Sequence, residues 1–402
     1  MTNQFRALMI ASCAAIAAAC ANEETATAND AASADEGPAG GGDASLQETL
    51  ADPAPEGALA LNVETLAEGL VNPWSIAFLP DGTILVTERA GSVRVIRDGA
   101  LVDAPVSGTP TPYVSGQAGY FDVMPHPNFA ENNVVFLAYA SGTDNENALR
   151  VARATFDGAA FNDVSVIYEA TPLKRGGYHY GGRLVWGPDD KLYFTTGEGS
   201  RYKELSQDNS SSFGAVIRIN EDGSIPDDNP DFGEGALAEL YSKGHRNPQG
   251  FAYDAERNIF WEHEHGPRGG DEINIIEPGA NYGWPLATYG IDYNGAKISP
   301  FTEYRGTVQP VKYWTPSIGP SGLAVYRGDM FAEWDGDLLV GAMAGQALHR
   351  VIMNGDEPVG EERYLLGERI REVRVGPDGA IYVTTEERGG EPIGQVLRVT
   401  PQ

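Results

Sequence analysis

Residues 373–387 read VRVGPDGAIYVTTEE, and residues 76–88 read IAFLPDGTILVTE. Each is a short apolar, β-branched run, a Pro-Asp-Gly turn and a second such run, the pattern of two antiparallel strands joined tightly. The unit recurs as FDVMPHPNFAENNVVFLAYA (121–140), LVWGPDDKLYFTTGE (184–198), FAYDAERNIFWEHE (251–264) and LAVYRGDMFAEWDGDLLVGA (323–342). A third strand follows, as in SVRVIRDG (92–99), AVIRINEDG (215–223) and VLRVTP (396–401). A small sheet cannot bury both faces alone, so six copies imply stacking into a ring. The pattern predicts an all-β chain, a six-bladed β-propeller over residues 59–402, with LNVETL (61–66) as the outer strand that closes the last blade. Seven blades would require one unit to have escaped the pattern. A β-sandwich accounts for neither the length nor the repeat.

The rest of the composition agrees. Of 402 residues, 49 are Gly and 26 Pro, more than a helical protein carries, while 42% apolar residues suffice for a large core. The net charge of -29 excludes a nucleic-acid partner, whose phosphates need a basic surface. It equally excludes docking on anionic lipid through a polybasic patch. The ordinary reading of such a surface is solubility.

The N-terminus reads as an address. In MTNQFRALMI ASCAAIAAAC (1–20), Arg6 precedes a short apolar stretch that fits a secretory signal and is too short to span a bilayer. Ala17-Ala18-Ala19 before Cys20 resembles a bacterial lipobox, which implies a lipid anchor at Cys20 and a periplasmic or cell-envelope location; an ordinary signal cut nearby is the alternative. Residues 21–58 are poor in large apolar side chains and read as a flexible acidic tether. Both cysteines, Cys13 and Cys20, lie in the leader, so the propeller can form no disulfide, thiolate metal site or cysteine nucleophile.

Propellers carry ligands on the loops that join strands over the central channel. Four segments there carry chemistry. GGYHYGGRL (176–184) sets His179, a candidate base, between glycines that let a ligand approach the backbone. GHRNPQG (244–250) offers Arg246 beside Asn247, a guanidinium and an amide able to polarise a carbonyl or clamp a carboxylate. HGPRGGDEIN (265–274) and NYGWP (281–285) force irregular backbone whose carbonyls face outward, and carbonyl and carboxylate oxygens suit a hard cation such as calcium. His263 and His265 share a strand face, which makes zinc conceivable, though without an evident third ligand. Finally, Arg369-Ile370-Arg371 puts two guanidiniums on one side of a strand, pointing to an anionic ligand unless Glu368 and Glu372 neutralise them.

Together these segments resemble the soluble, pyrroloquinoline-quinone (PQQ) dependent glucose and aldose-sugar dehydrogenases, most closely the bacterial aldose sugar dehydrogenase branch. The resemblance runs from about Leu61 to the C-terminus and is most specific in GHRNPQG, EHGPRGGDEINII and NYGWPLATYG. It implies a six-bladed propeller that oxidises aldose sugars to lactones for an unidentified electron acceptor. It further implies His179 as the base for the sugar C1 hydroxyl, with Glu198 in TTGEGS beside it. Arg246 and Asn247 would lie on the quinone, and Gln117, Arg369 and Arg371 would hold the cofactor. Backbone oxygens of Gly266 and Pro267 would hold a calcium against PQQ, and Glu272 with the Tyr282 backbone a second calcium. Family members usually offer PQQ a lysine where this chain has Ala344, and the glucose enzyme has an acid where this chain has Tyr178, so the resemblance carries over no sugar preference. A calcium-dependent lactonase or a non-catalytic binding propeller are the competing functions.

Overall fold

The computed structural model describes residues 54–387 and 390–402. The signal segment, Cys20 and nearly all of the tether lie outside them. Among the described residues the fold is a six-bladed β-propeller, each blade a four-stranded antiparallel sheet. The inner and second strands of the blades are β2 (Pro73–Phe78) and β3 (Ile84–Glu88), β6 (Tyr120–Pro125) and β7 (Val134–Gly142), β10 (Gly181–Trp186) and β11 (Leu192–Thr196), β14 (Pro248–Asp254) and β15 (Ile259–Glu264), β18 (Pro320–Val325) and β19 (Leu338–Ala342), and β22 (Ile370–Val375) and β23 (Ile381–Thr385). These six hairpins coincide with the six units read from the sequence. The predicted third strands are β4 (Ser92–Arg97), β12 (Ala215–Ile219) and β24 (Gly394–Pro401).

The ring closes as anticipated. β1 (Leu61–Leu70) pairs antiparallel with β24, from Leu61 opposite Pro401 to Leu70 opposite Gly394. The N-terminal strand thus completes a blade whose other strands come from the C-terminus, and neither end of the sheet order is left as a seam. Upstream of β1, Gly57 N donates to Arg363 O (3.0 Å) and Arg363 N to Pro55 O (2.9 Å), so residues 55–57 already pair with β21 (Glu357–Leu365).

Apolar residues of neighbouring blades interlock. Phe136, Leu184 and Phe194 share one buried cluster, and Trp261, Leu323 and Val340 another. Each such side chain contributes roughly 1.5–3 kcal/mol by leaving water.

Two features place the functional groups. First, each inner strand carries a register shift near its start, between Pro73 and Ser75, Tyr120 and Val123, Gly181 and Leu184, Pro248 and Gly250, Ser321 and Leu323, and Ile370 and Glu372. A bulge twists the strand and re-aims its side chains, here at one end of the channel. Second, antiparallel pairing brings the ends of the second strands to that same mouth.

The channel wall itself is ionic. Arg183 on β10 bonds the Glu372 carboxylate, donates from Nε to Gln249 O (2.6 Å) and lies 3.9 Å over the Trp74 ring. Asp122 on β6 accepts from Ser75 Oγ (2.5 Å), Leu184 N (3.0 Å) and Arg374 Nη2 (3.1 Å). These bonds join inner strands of different blades, so the mouth is held on a crosslinked floor.

Candidate functional site

At the mouth the four segments meet in two adjoining cavities that share Tyr178 and Tyr293. One, of about 130 Å³, is lined by Gln117, Gly266, Ala344, Arg369 and Arg371 together with Arg89. The other, of about 360 Å³, is lined by His179, Glu198, Arg246, Pro267 and Trp284.

His179 sits in the glycine-bracketed loop before β10 with φ 51°, a left-handed conformation that costs a non-glycine residue energy. Close packing holds it there. Its N–H donates to Gln117 Oε1 (2.9 Å), while Gln117 N and Ala118 N donate to Gly177 O (2.8 and 3.0 Å). A Cβ at Gly177 would lie 2.0 Å from Ser115 O, and one at Gly197 2.4 Å from the His179 carbonyl. Both positions therefore require glycine. His179 Nδ1 lies 2.8 Å from Glu198 Oε1, and both residues are buried. Burial alone would raise the Glu198 carboxyl, but the His179 imidazole, and after it Arg246, hold it below its ordinary value. An ionised carboxylate at Nδ1 fixes the proton on that nitrogen, which makes Nε2 the basic atom.

Arg246 precedes β14. Its Nη1 donates to His265 O (3.0 Å) and Gly266 O (2.7 Å), and its guanidinium lies 5.4 Å from the Trp284 ring. Glu264 at the end of β15 accepts from the backbone N–H of Arg246 and of Asn247 (3.2 Å for the latter), which sets this loop. Asn247 turns inward, and its Oδ1 accepts from Gly181 N (3.4 Å) and Gln249 Nε2 (3.3 Å).

Arg369 donates to Met343 O (3.2 Å), next to Ala344. Arg371 is paired with Glu386 (2.5 Å) and donates from Nη1 to Gln249 Oε1 (3.3 Å) and Ser321 Oγ (3.2 Å). The anticipated neutralisation by Glu372 does not occur, because that side chain crosses the channel to Arg183. Glu386 takes its place. Burial would raise its carboxyl, but Arg371, Arg89 and Arg369 together hold it low.

Gly266 lines the first cavity, its carbonyl accepting from Arg246 Nη1, and Pro267 lines the second. Gly266 N donates to Asp271 Oδ1 (3.0 Å), and Asp271 Oδ2 accepts from Ile318 N (2.8 Å), which pins the irregular loop to the next blade. Glu272 and Tyr282 line neither of these cavities but a pocket of about 10 Å³ beside them, which Arg246, Glu264 and Gly266 also line. Burial and the neighbouring Glu264 charge push the Glu272 carboxyl well up. Among the described residues His263 and His265 join no cluster of three metal-ligating side chains, and their Nε2 atoms bond Gly322 O (3.0 Å) and Pro320 O (2.7 Å) on β18.

The sequence reading missed Arg89 and Glu386. Arg89 bonds Gly116 O and lies 3.9 Å from Glu386 Oε1. A signal existed: Thr87-Glu88-Arg89 and Thr385-Glu386-Glu387 end equivalent second strands, as do Glu198 and Gly266 in their blades.

Comparison with known proteins accords with this geometry. Residues 70–398 match the family model described as Glucose / Sorbosone dehydrogenase. The chain is 41% identical over 351 residues to the aldose sugar dehydrogenase YliI of Escherichia coli K12, covering 85% of this chain and 93% of that one. Among solved structures, the apo form of the soluble aldose sugar dehydrogenase of Escherichia coli superposes with a TM-score of 0.81 at 39% identity, covering 85% of this chain and all (100%) of that one. The PQQ-bound aldose sugar dehydrogenase of Streptomyces coelicolor gives a TM-score of 0.71 at 28% identity over 86% of this chain and 100% of its own. The chain therefore belongs to the Glucose / Sorbosone dehydrogenase family, a family of sugar dehydrogenases.

Proposed function

We propose that this protein is a PQQ- and calcium-dependent oxidoreductase that converts aldoses to lactones at C1. One observation carries the reading: a buried imidazole–carboxylate pair faces a cavity that adjoins an arginine-lined cleft. The donor set suits PQQ, a flat ortho-quinone bearing three carboxylates. Arg89, Arg369 and Arg371 outnumber Glu386 and Glu387 in the cleft and offer its carboxylates guanidinium partners, and Gln117 and Gln249 suit its polar edge. Gly116, Gly181 and Gly319 leave the wall flat; a Cβ at Gly116 would meet the Tyr178 ring at 3.0 Å. Ala344 offers no cation where a lysine is expected, while Arg89 on the first blade lines the same cavity. The carbonyls of Gly266 and Pro267 would hold calcium beside the quinone, and Glu272 with the Tyr282 carbonyl a second ion. Crowded carboxylates around the small pocket suit that charge.

Bound PQQ would supply a two-electron acceptor for the C1 hydride, and calcium would add positive charge beside it. The remaining work falls to the chain. His179 Nε2 takes the C1 hydroxyl proton, and Glu198 across Nδ1 stabilises the imidazolium that forms. Arg246 aims positive charge at the oxygen that gains electron density. Trp284, Tyr178 and Tyr293 supply faces for the sugar.

Apo protein given PQQ, calcium and an aldose should reduce an artificial electron-accepting dye. His179→Gln should abolish turnover while PQQ still binds. Full dye reduction by that variant would remove His179 from the base role. A folded wild-type protein that fails to bind micromolar PQQ with calcium would favour a binding propeller, the reading that Ala344 supports.

A further inference from the structure

Lys174 is a buried lysine with no part in the chemistry above. It is 3% exposed, five residues before His179. Its Nζ donates to Gly176 O (3.0 Å) and Tyr178 O (2.8 Å) and sits 3.6 Å from the Tyr180 ring centroid. Its backbone is itself anchored to the second blade: Lys174 N donates to Asn147 O (2.9 Å) and Asn147 N to Lys174 O (3.0 Å). One ammonium thus gathers the carbonyls on either side of Gly177-Tyr178 and the ring that follows His179. These are the residues that must turn sharply for His179 to adopt φ 51°. An ammonium is expensive to bury, and a hydrophobic side chain would fill the space without that cost. A lysine here supplies three directed donors and a charge.

We infer that Lys174 is a positioning residue: its ammonium clamps the 176–180 loop so that His179 meets Glu198 on one side and substrate on the other. The inference rests on His179 being the base. Besides binding the loop, the charge acts through space on Glu198: the lysine stem runs beside Gly199, where an added Cβ would lie 2.9 Å from Lys174 Cδ. Burial lowers the Lys174 ammonium to about 7, with Glu198 opposing that fall.

The titratable groups around this cluster come from several elements. Glu198, Arg201 and Glu204 lie after β11, and Arg246 before β14. Tyr180 belongs to the loop itself, and Asp144 reaches it from the second blade through Gly176 N (3.0 Å to its carbonyl). None of them replaces the ammonium between the two carbonyls.

Two variants separate the bonds from the charge. Lys174→Met removes both, whereas Lys174→Gln keeps an amide donor and loses the charge. In dye reduction, Lys174→Met should lower kcat on the order of ten- to a hundredfold with KM for the sugar within about twofold, because a misplaced base slows the step without weakening binding. The acid limb of its kcat profile should move to higher pH, by up to about one pH unit, because Glu198 then favours the protonated imidazole unopposed. Lys174→Gln should recover part of kcat and show the same movement of the limb. Hydrogen–deuterium exchange over residues 176–180 reports the clamp without turnover, and Lys174→Met should speed it. If wild-type protein turns over no sugar, the base assignment fails while the exchange result still judges the clamp. Unchanged exchange with unchanged kcat overturns the inference. So does equal damage in both variants with PQQ binding lost and the acid limb in place, the mark of a general scaffold residue.

Discussion

Replacing Glu198 by Gln removes one charge and almost no volume. In the wild-type protein Oε1 lies 2.8 Å from His179 Nδ1, and the pair is buried. A hydrogen bond to a charged group is worth about 1.5–3 kcal/mol and a neutral one about 1 kcal/mol. The difference, roughly 0.5–2 kcal/mol, is what the imidazolium loses as it forms, which predicts a fall in kcat of about two- to thirtyfold. That holds if the amide oxygen replaces Oε1. If the amide instead turns its NH₂ toward Nδ1, the proton moves to Nε2 and the basic nitrogen is lost; such a tautomer error costs on the order of 10⁴ in a serine-protease triad. In the first case the acid limb of the kcat profile must move to lower pH, because the protonated imidazole has lost its carboxylate. The movement is opposite in sign to that expected of Lys174→Met. Steady-state dye reduction between pH 5 and 9 measures both quantities, with quinone binding as the control. Wild-type kcat, or a limb displaced upward, would refute the assignment of Glu198.

Two further predictions test other parts of the molecule. Arg371→Ala takes one of the guanidiniums from around Glu386, leaving a buried carboxylate less compensated. PQQ affinity should fall by about 2–3 kcal/mol, roughly 30- to 150-fold, in a quinone titration with calcium, and unchanged binding would remove Arg371 from the cofactor site. Glu361 joins two blades by accepting from Trp314 Nε1 (2.8 Å), Lys312 Nζ (2.6 Å) and His349 Nδ1 (2.6 Å). Burial would raise its carboxyl, but these partners bring it to about 2 from the ordinary 4.5. A depressed carboxylate stabilises the fold fully above pH 4.5 and loses that contribution as pH falls toward 2. Glu361→Gln should therefore cost roughly 3 kcal/mol in denaturant unfolding at pH 7 and progressively less below pH 4; an equal cost at both pH values would sink the account.

How much was legible in advance follows from the range of each interaction. IAFLPDGTILVTE declares its hairpin because turn and strands lie within 13 residues, and the same argument worked in all six blades. Ring closure through Leu61–Leu66 was readable because one unmatched strand remained and the last blade lacked one. His179, Arg246 and Arg371 stood out because glycine, proline and paired charges mark loops where ordinary strand chemistry stops. Arg89 did not, since TERAG resembles any polar turn until the blades on either side converge. Lys174 did not either, because nothing local says that an ammonium is buried beneath the loop that follows it.

Pairing the arginines with their true partners also lay beyond the linear chain. Glu372 is adjacent to Arg371, yet its carboxylate reaches Arg183 across the channel, 189 positions away, while Arg371 is met by Glu386 from the next strand. Pattern and turn chemistry act over a few residues, so they dictate strands, blades and the ring from primary structure. Which charges face one another depends on how a ring of blades and its bulged inner strands aim side chains into a shared hollow. That is set by packing among segments hundreds of residues apart, and only the folded molecule contains it.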